Sequence, residues 1–215
     1  MKHLLIASLV LLFVSCGKKD ETVEVPAGFN SKVLVEIMKK PQSLSKSKIA
    51  EIAGTEAAKI KIYNEWVSPE ISKRTVLYSW PNGGNKTIRT RSGKELKLDA
   101  YSSLGIGFIK KISKQDFLKQ FESKEFIQNE INRISKDENI EADLAIAEAK
   151  NLAENAKVQK FEKLDKVGEI AFWETPVQAL HVFANGVAFT ISTNMEEESA
   201  SRQAALEMVK LIMNP

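Results

Sequence analysis

The chain has little of the chemistry that marks disulfide-rich, metal-binding or nucleic-acid-binding proteins. It contains one cysteine and two histidines among 215 residues, and aromatic residues make up 7%. A single cysteine excludes an internal disulfide framework. Lysine and arginine together number 31, against 28 aspartate and glutamate residues. This near balance lacks the cationic excess of nucleic-acid binders, so we expect no nucleic-acid partner.

Sequence motifs of known catalytic and cofactor sites are also missing. The chain has no His-Glu-x-x-His, Cys-x-x-Cys, Gly-x-Ser-x-Gly or Walker sequence, and Gly105-Ile106-Gly107 lacks the third glycine of a dinucleotide loop. We therefore expect no cofactor, no metal and a non-catalytic role. The alternative is a small envelope hydrolase whose paired carboxylates come from distant positions, because such a site leaves no contiguous motif.

Residues 1–15 have the features of an export signal. A short basic start, residues 1–3, precedes eleven apolar or small residues, 4–14. At 1.5 Å per residue this run covers about half of a bilayer core of about 30 Å, which is too short for a spanning helix. The alternative, a buried N-terminal helix, would show a polar stripe that this run lacks. We interpret residues 1–15 as a signal peptide.

Cys16 follows this run directly, after Phe13-Val14-Ser15. In an exported chain a lone cysteine has no internal disulfide partner. The segment resembles the lipobox of bacterial lipoproteins, with Phe13 at a position that is usually leucine. The resemblance implies cleavage before Cys16, a diacylglycerol on its sulfur and a further acyl chain such as palmitate on its amino group, which together anchor a protein stably. It also implies a location at the cell membrane or outer membrane, facing the periplasm or the cell surface.

Residues 16–31 are predicted to be a flexible tether. The segment after Cys16 is charged and then contains Pro26 and Gly28, and it offers too little apolar surface to order itself. Its first charges also resemble the export tag of surface lipoproteins in Bacteroidota, although a solvated linker is the plain alternative. The residues that carry this resemblance are Lys18, Lys19, Asp20 and Glu21.

Residues 32–215 are predicted to form one α+β domain in which helices pack against an antiparallel sheet. Segment 32–40 has a mixed pattern, and a helix at 43–54 ends at Gly54. Alternating apolar residues predict strands at 60–63, 74–80, 96–100 and 104–112, with a turn at 81–85. The pattern that starts at 168–173 resembles small bacterial lipoproteins, some with PsbP-like domains, and implies the same α+β fold.

The second half of the chain adds helices and a hairpin. Ser113 and Asp116 favour the start of a helix with an apolar stripe of Phe117, Phe121, Ile127, Ile131 and Ile134. A second helical run covers residues 141–155. Asn185-Gly186 predicts a hairpin at 178–193 that pairs Leu180 with Ile191 and His181 with Thr190. The last helix has an inner stripe of Leu206, Val209 and Ile212.

Few residues stand out as candidates for binding. Tyr78 and Trp80 precede the predicted turn, and we expect Trp80 to be exposed and to contact a partner. Arg89 and Arg91 belong to a basic segment that suits lipid phosphates or acidic glycans, although a solvated sheet face is the plain alternative. His181 is interpreted as a strand residue rather than a metal ligand.

These observations together predict a lipid-anchored protein of the cell envelope that acts as a non-catalytic binding or accessory module. Its expected partners are the membrane, through acylated Cys16, and an envelope protein or a small ligand. A small hydrolase is the enzymatic alternative. A structural spacer that binds neither partner nor ligand is a third reading.

Overall fold

The computed structural model describes residues 22–26, 29–65, 70, 73–122, 147 and 161–214. Within these residues the chain forms four α-helices and seven strands. The helices are α1 (Ser31–Lys39), α2 (Lys46–Ala53), α3 (Lys114–Glu122) and α4 (Glu198–Met213). The strands are β1 (Lys61–Glu65), β2 (Thr75–Arg89), β3 (Glu95–Lys111), β4 (Phe161–Leu164), β5 (Ile170–Glu174), β6 (Ala179–Ala184) and β7 (Val187–Asn194).

The strands form one antiparallel sheet in the order β1-β2-β3-β7-β6-β5-β4. Every connection between sequential partners reverses direction, as expected for hairpins rather than for βαβ crossovers. The α+β fold class predicted from the sequence is therefore confirmed.

The β6–β7 hairpin has the predicted register. Leu180 pairs with Ile191 and His181 with Thr190. Its loop residues Asn185 and Gly186 both have positive φ, 47° and 74°. A type I′ turn requires this conformation at both central positions, and asparagine and glycine tolerate it best. Local turn chemistry therefore determines the register of the central strands.

The long β2–β3 hairpin departs from the sequence prediction. The chain does not turn at residues 81–85, because β2 continues through a bulge between Pro81 and Asn85 that the uninterrupted β3 accommodates. The turn comes instead at residues 90–94, where Thr90 and Lys94 close the loop. Pro81 lacks an N–H for the ladder and Gly83 adopts positive φ, features that a bulge uses as readily as a turn, so the turn prediction was wrong.

One face of the sheet packs against α1, α2 and α4. The large core on this face includes Trp173, Leu206 and Ile106. Helix α1 replaces the mixed segment expected at 32–40, since the Asn30 side chain accepts a hydrogen bond from the Lys32 backbone N–H at 2.9 Å and caps the helix. Gly54 ends α2 in the left-handed conformation, with φ 62°, as predicted.

The opposite face is covered over β4–β7 by α3. Phe117 packs into a second apolar cluster with Ile170, Phe172 and Phe183, and Phe121 stacks on Phe172 with 4.7 Å between ring centroids. This confirms the first part of the predicted stripe. Ile127, Ile131 and Ile134, the helical run at 141–155 except residue 147, and residues 1–21 with Cys16 lie outside the described residues.

Residues 22–26, which we call the strap, attach the N-terminal segment to the fold. Val23 forms a parallel bridge with Val167 and is buried, and Phe29 is buried against Phe189. Part of the range expected to be a tether therefore packs on the domain, because two apolar side chains find places in the core. The strap lies at the sheet end that carries the β6–β7 turn, which we call the strap end.

Candidate functional site

An open groove runs between α2 and α4 on the outer side of the helical layer. It has a volume of about 800 Å³. The groove exists because three of its lining positions are alanine, and a larger side chain at any of them would fill the space. The floor is made of Ile52, Ala53, Met195, Ala200, Ala204 and Leu211. A floor of this kind can accept apolar side chains from a partner.

Charged groups form the rim of the groove. Lys48 and Glu51 stand on the α2 side. On the α4 side the Glu207 carboxylate accepts hydrogen bonds from Gln203 Nε2 at 2.8 Å and from Lys210 Nζ at 3.0 Å. These contacts fix the carboxylate in place, so the α4 wall presents a defined polar edge above the apolar floor.

Two smaller hollows extend the groove at both ends. A hollow of about 300 Å³ is lined by Trp80, Pro81 and Asn82 and shares Ala200 and three other lining residues with the groove. A hollow of about 370 Å³ lies between the strap and the end of α4 and shares Lys210 and Asn214 with it. The three hollows therefore form one continuous surface along α4, which we call the track.

The track ends at the base of a projecting two-stranded ribbon. Residues 82–100, which we call the arm, extend β2 and β3 beyond the pairs that β1 and β7 make with them. The arm is about 25 Å long at 3.3 Å per residue. Leu96, Leu98 and Ala100 alternate in phase with Leu104 on β3, so the apolar side of the arm continues the helix-covered face of the sheet.

The arm exposes apolar and cationic groups together. Leu98 is 47% exposed and Ile88 is 36% exposed. The cations are Lys86, Arg89, Arg91, Lys94 and Lys97, while the carboxylates are Glu95 and Asp99. An exposed apolar strip beside an excess of positive charge is a surface that suits a partly apolar, acidic partner.

Trp80 lies between the track and the arm but is not exposed. Its side chain is 4% exposed, so our expectation of an exposed Trp80 was wrong. Trp80 lies on the core face of β2, where it pairs with Ser102 and packs beneath the helices. It nevertheless lines the smaller hollow, so it forms part of the wall that a bound group would meet.

Tyr78 is a structural residue rather than a surface contact. Its ring is fully buried, and its hydroxyl donates a hydrogen bond to the Pro41 carbonyl oxygen at 2.8 Å. Burial raises the pKa of this phenol above its ordinary value. The position of Tyr78 therefore does not support our expectation that it contacts a ligand, because its ring is buried and its hydroxyl already donates to the segment before α2.

Arg89 and Arg91 are exposed near the tip of the arm, as the basic segment indicated. The structure does not bring them together with Trp80, because most of the arm length separates the tip from the base. The predicted residues therefore mark the two ends of the arm. No sequence pattern indicated the groove between α2 and α4.

His181 takes part in a polar ladder on the face covered by α3. Its Nδ1 lies 3.1 Å from Thr190 Oγ1, and its Nε2 lies 3.0 Å from Glu174 Oε2. Hydrolases use a carboxylate, an imidazole and a hydroxyl in this order. Here Thr190 and Glu174 are buried within the sheet face, and none of the three residues lines the track. We assign this ladder to cohesion between β5, β6 and β7.

Metal ligands do not gather anywhere in the described residues. No group of three or more histidine, cysteine, aspartate or glutamate side chains in that part of the chain is placed to hold an ion. Among the described helices, none combines the length and the apolar composition needed to cross a membrane. Comparison of the chain with protein-family profiles, curated proteins and solved structures gave no significant match.

Proposed function

We propose that the protein is a lipid-anchored, non-catalytic binding module of the bacterial cell envelope, and that it captures a protein partner on the track and the arm. The observation that carries this proposal is the continuity between an apolar groove and a projecting cationic arm. The groove and the apolar side of the arm lie on the same face of the sheet, where Lys86 pairs with Leu98, so one extended partner segment can contact them together.

The dimensions of the surface favour a protein over a small ligand. Helix α4 has 16 residues and is about 24 Å long at 1.5 Å per residue. The arm adds a similar length beyond Trp80. Small-molecule sites enclose most of their ligand, whereas the track is open along its length. The partner segment that fits is extended, has apolar side chains for the groove and carries carboxylates for the arm.

The position of the strap agrees with an anchor at Cys16. Seven peptide bonds join Cys16 to Val23, and a chain of this length reaches at most about 25 Å. With acyl chains on Cys16, the strap end stays close to the membrane. The arm leaves the opposite end of the sheet, so it extends toward proteins that lie away from the bilayer.

The binding surface is tested by crosslinking and affinity capture of the full chain from detergent-solubilised envelopes. Ala200→Trp fills the junction of the groove and the smaller hollow, and we expect it to abolish capture of the partner found with the unmodified chain. Ser199→Trp is the matched control, because Ser199 is exposed on the same helix and does not line the track. Arg89→Glu with Arg91→Glu should weaken capture more at low salt than at high salt.

Equal capture by all four proteins would contradict the proposed surface. The anchor has its own test, since Cys16→Ala should release the protein into the soluble fraction and remove the added acyl mass. The hydrolase alternative predicts a different result, namely turnover of a glycan or peptide panel. Glu207→Gln should then abolish that turnover, because Glu51 and Glu207 are the carboxylates on the two sides of the groove.

A further inference from the structure

Phe108 on β3 combines backbone strain with exposure of a large aromatic ring. Its φ is +54°, in the left-handed region, and the residue is 68% exposed. A bulky residue rarely adopts this conformation, because its Cβ approaches the following carbonyl oxygen. The register between β3 and β7 shifts between Gly107 and Lys110, so a bulge holds Phe108 in this position. Bulges commonly redirect a side chain, and here the ring is directed into solvent.

Exposed lysines accompany Phe108 at this end of the sheet. Lys110 and Lys111 follow it on β3, and Lys166 is exposed in the β4–β5 turn at the same end. Lys114 forms an ion pair with Glu169 at 3.6 Å, and Lys110 is one of the cations that lower the pKa of the Asp116 carboxyl. An exposed aromatic ring with two lysines after it on the same strand, and a third at the same end of the sheet, matches the chemistry of an anionic lipid surface, where the ring enters the headgroup layer and each ammonium group meets a phosphate.

The same end of the sheet holds the strap. The backbone N–H of Val23 donates to the Lys166 carbonyl oxygen at 2.6 Å, and the N–H of Gly168 donates to the Val23 carbonyl oxygen at 2.9 Å. The chain that leads to Cys16 therefore leaves the fold beside Lys166. A membrane within reach of Cys16 is also within reach of this end, because the connection spans at most about 25 Å.

We propose that Phe108, Lys110, Lys111 and Lys166 form a membrane-contacting site that orients the module on an anionic bilayer surface. This inference rests on the proposed lipid anchor. The site adds a second attachment to the acyl chains, so the module stands with its strap end on the bilayer and its arm directed away from it. A free anionic glycan would also meet the lysines and the ring of Phe108, but it would not bring the ring into contact with acyl chains.

The site is tested by tryptophan quenching in the full, membrane-purified chain. Phe108→Trp is compared with Val177→Trp, an exposed apolar position in the β5–β6 connection at the other end of the sheet. Both proteins are reconstituted into vesicles whose acyl chains carry bromine, and the emission of the unmodified chain is subtracted. We expect the added emission of Phe108→Trp to be quenched in vesicles with anionic lipids, and that of Val177→Trp to be unaffected. Adding Lys110→Glu and Lys111→Glu to Phe108→Trp should reduce the quenching by about half or more.

The proposal is overturned if the Phe108→Trp emission is quenched no more than the Val177→Trp emission, or if quenching is the same in vesicles of zwitterionic lipid alone. Phe108→Asn serves as a second variant, because asparagine tolerates the left-handed conformation and should keep the fold. In the membrane-bound protein, this substitution should widen the range of orientations that a spin label on the arm adopts relative to the bilayer. An unchanged range would contradict the site. Intact mass reports acylation of Cys16 separately, so a failed anchor is distinguished from a failed membrane contact.

Discussion

Tyr78 carries a phenol group inside the core beneath the helices, and its hydroxyl has one partner, the Pro41 carbonyl oxygen. The bond ties the short loop before α2 to the central part of β2. Water does not reach this buried carbonyl oxygen, so it cannot replace a hydrogen-bond donor that is lost. A single hydroxyl therefore holds two elements in contact.

Tyr78→Phe is expected to lower the free energy of unfolding by about 1 kcal/mol, because the Pro41 oxygen loses the Tyr78 hydroxyl and keeps only the Leu44 N–H, at 3.3 Å, as a donor. Urea denaturation measures the change. Tyr63→Phe is the control, since Tyr63 is exposed and should unfold as the unmodified chain does. Equal stability of the Tyr78 variant and the control would show that the bond contributes nothing.

The same residue makes stability depend on alkaline pH. Burial raises the pKa of Tyr78, so the folded state retains the phenol proton when the unfolded chain has lost it. Stability from this residue is complete below pH 10, the ordinary pKa of tyrosine, and falls as the pH rises above it. We expect the unmodified chain to lose stability above pH 10 more steeply than Tyr78→Phe in urea titrations.

Individual elements were predictable where local chemistry decides them. Asn185-Gly186 determines the central hairpin, and Gly54 determines the end of α2. Helix α1 was missed because its three buried residues lie in a segment of only nine residues, where a helical stripe is difficult to distinguish from mixed patterning. The bulge after Trp80 was missed because proline and glycine permit both a turn and a bulge, and only pairing with β3 decides between them.

Helix α3 depends on its first turn. Ser113 Oγ accepts a hydrogen bond from the Asp116 backbone N–H at 3.1 Å and donates one to Asp116 Oδ2 at 2.7 Å. These contacts, together with Lys119, lower the pKa of Asp116. Asp116 is fully exposed, so this shift is evidence for the geometry of the cap rather than for a large energy.

Ser113→Ala should lower the free energy of unfolding by about 1 kcal/mol, as expected for loss of a helix cap. Ser45→Ala is the matched control, because Ser45 precedes α2 in the same position but its side chain makes no capping hydrogen bond. Chemical denaturation of both variants measures the difference. A loss as large for Ser45→Ala as for Ser113→Ala would contradict the role of the bond.

At the scale of the whole molecule, tertiary packing determines where the candidate surfaces lie, and the sequence alone does not reveal those positions. Arg89 and Arg91 were identified because charged residues in a hairpin are almost always exposed. The groove was not predicted, because alanine at positions 200 and 204 is compatible both with a packed core and with an open channel. Their role depends on where α2 ends relative to α4, and that is a property of tertiary packing rather than of either helix alone.

Attachment of the strap is a property of the whole fold. Val23→Ala should lower the free energy of unfolding by about 2 kcal/mol, because it removes buried methyl groups from a packed site. Glu24→Ala, at an exposed neighbouring position, should have no such effect. Urea denaturation measures both, and chymotrypsin should cleave after Phe29, which is buried, faster in the Val23 variant. Equal cleavage of the two variants would show that the strap does not depend on Val23.

The strap also determines how the domain responds to force applied at its N-terminal end. Force applied at the proposed anchor enters the domain at Val23, which is held by two hydrogen bonds and one buried side chain, whereas the sheet behind it is joined along seven strands. The weaker attachment separates first. Its release lengthens the connection by about 20 Å, the contour length from Val23 to the next buried residue, Phe29. The domain therefore yields by extension at the strap under load, while the groove between α2 and α4 and the arm stay folded.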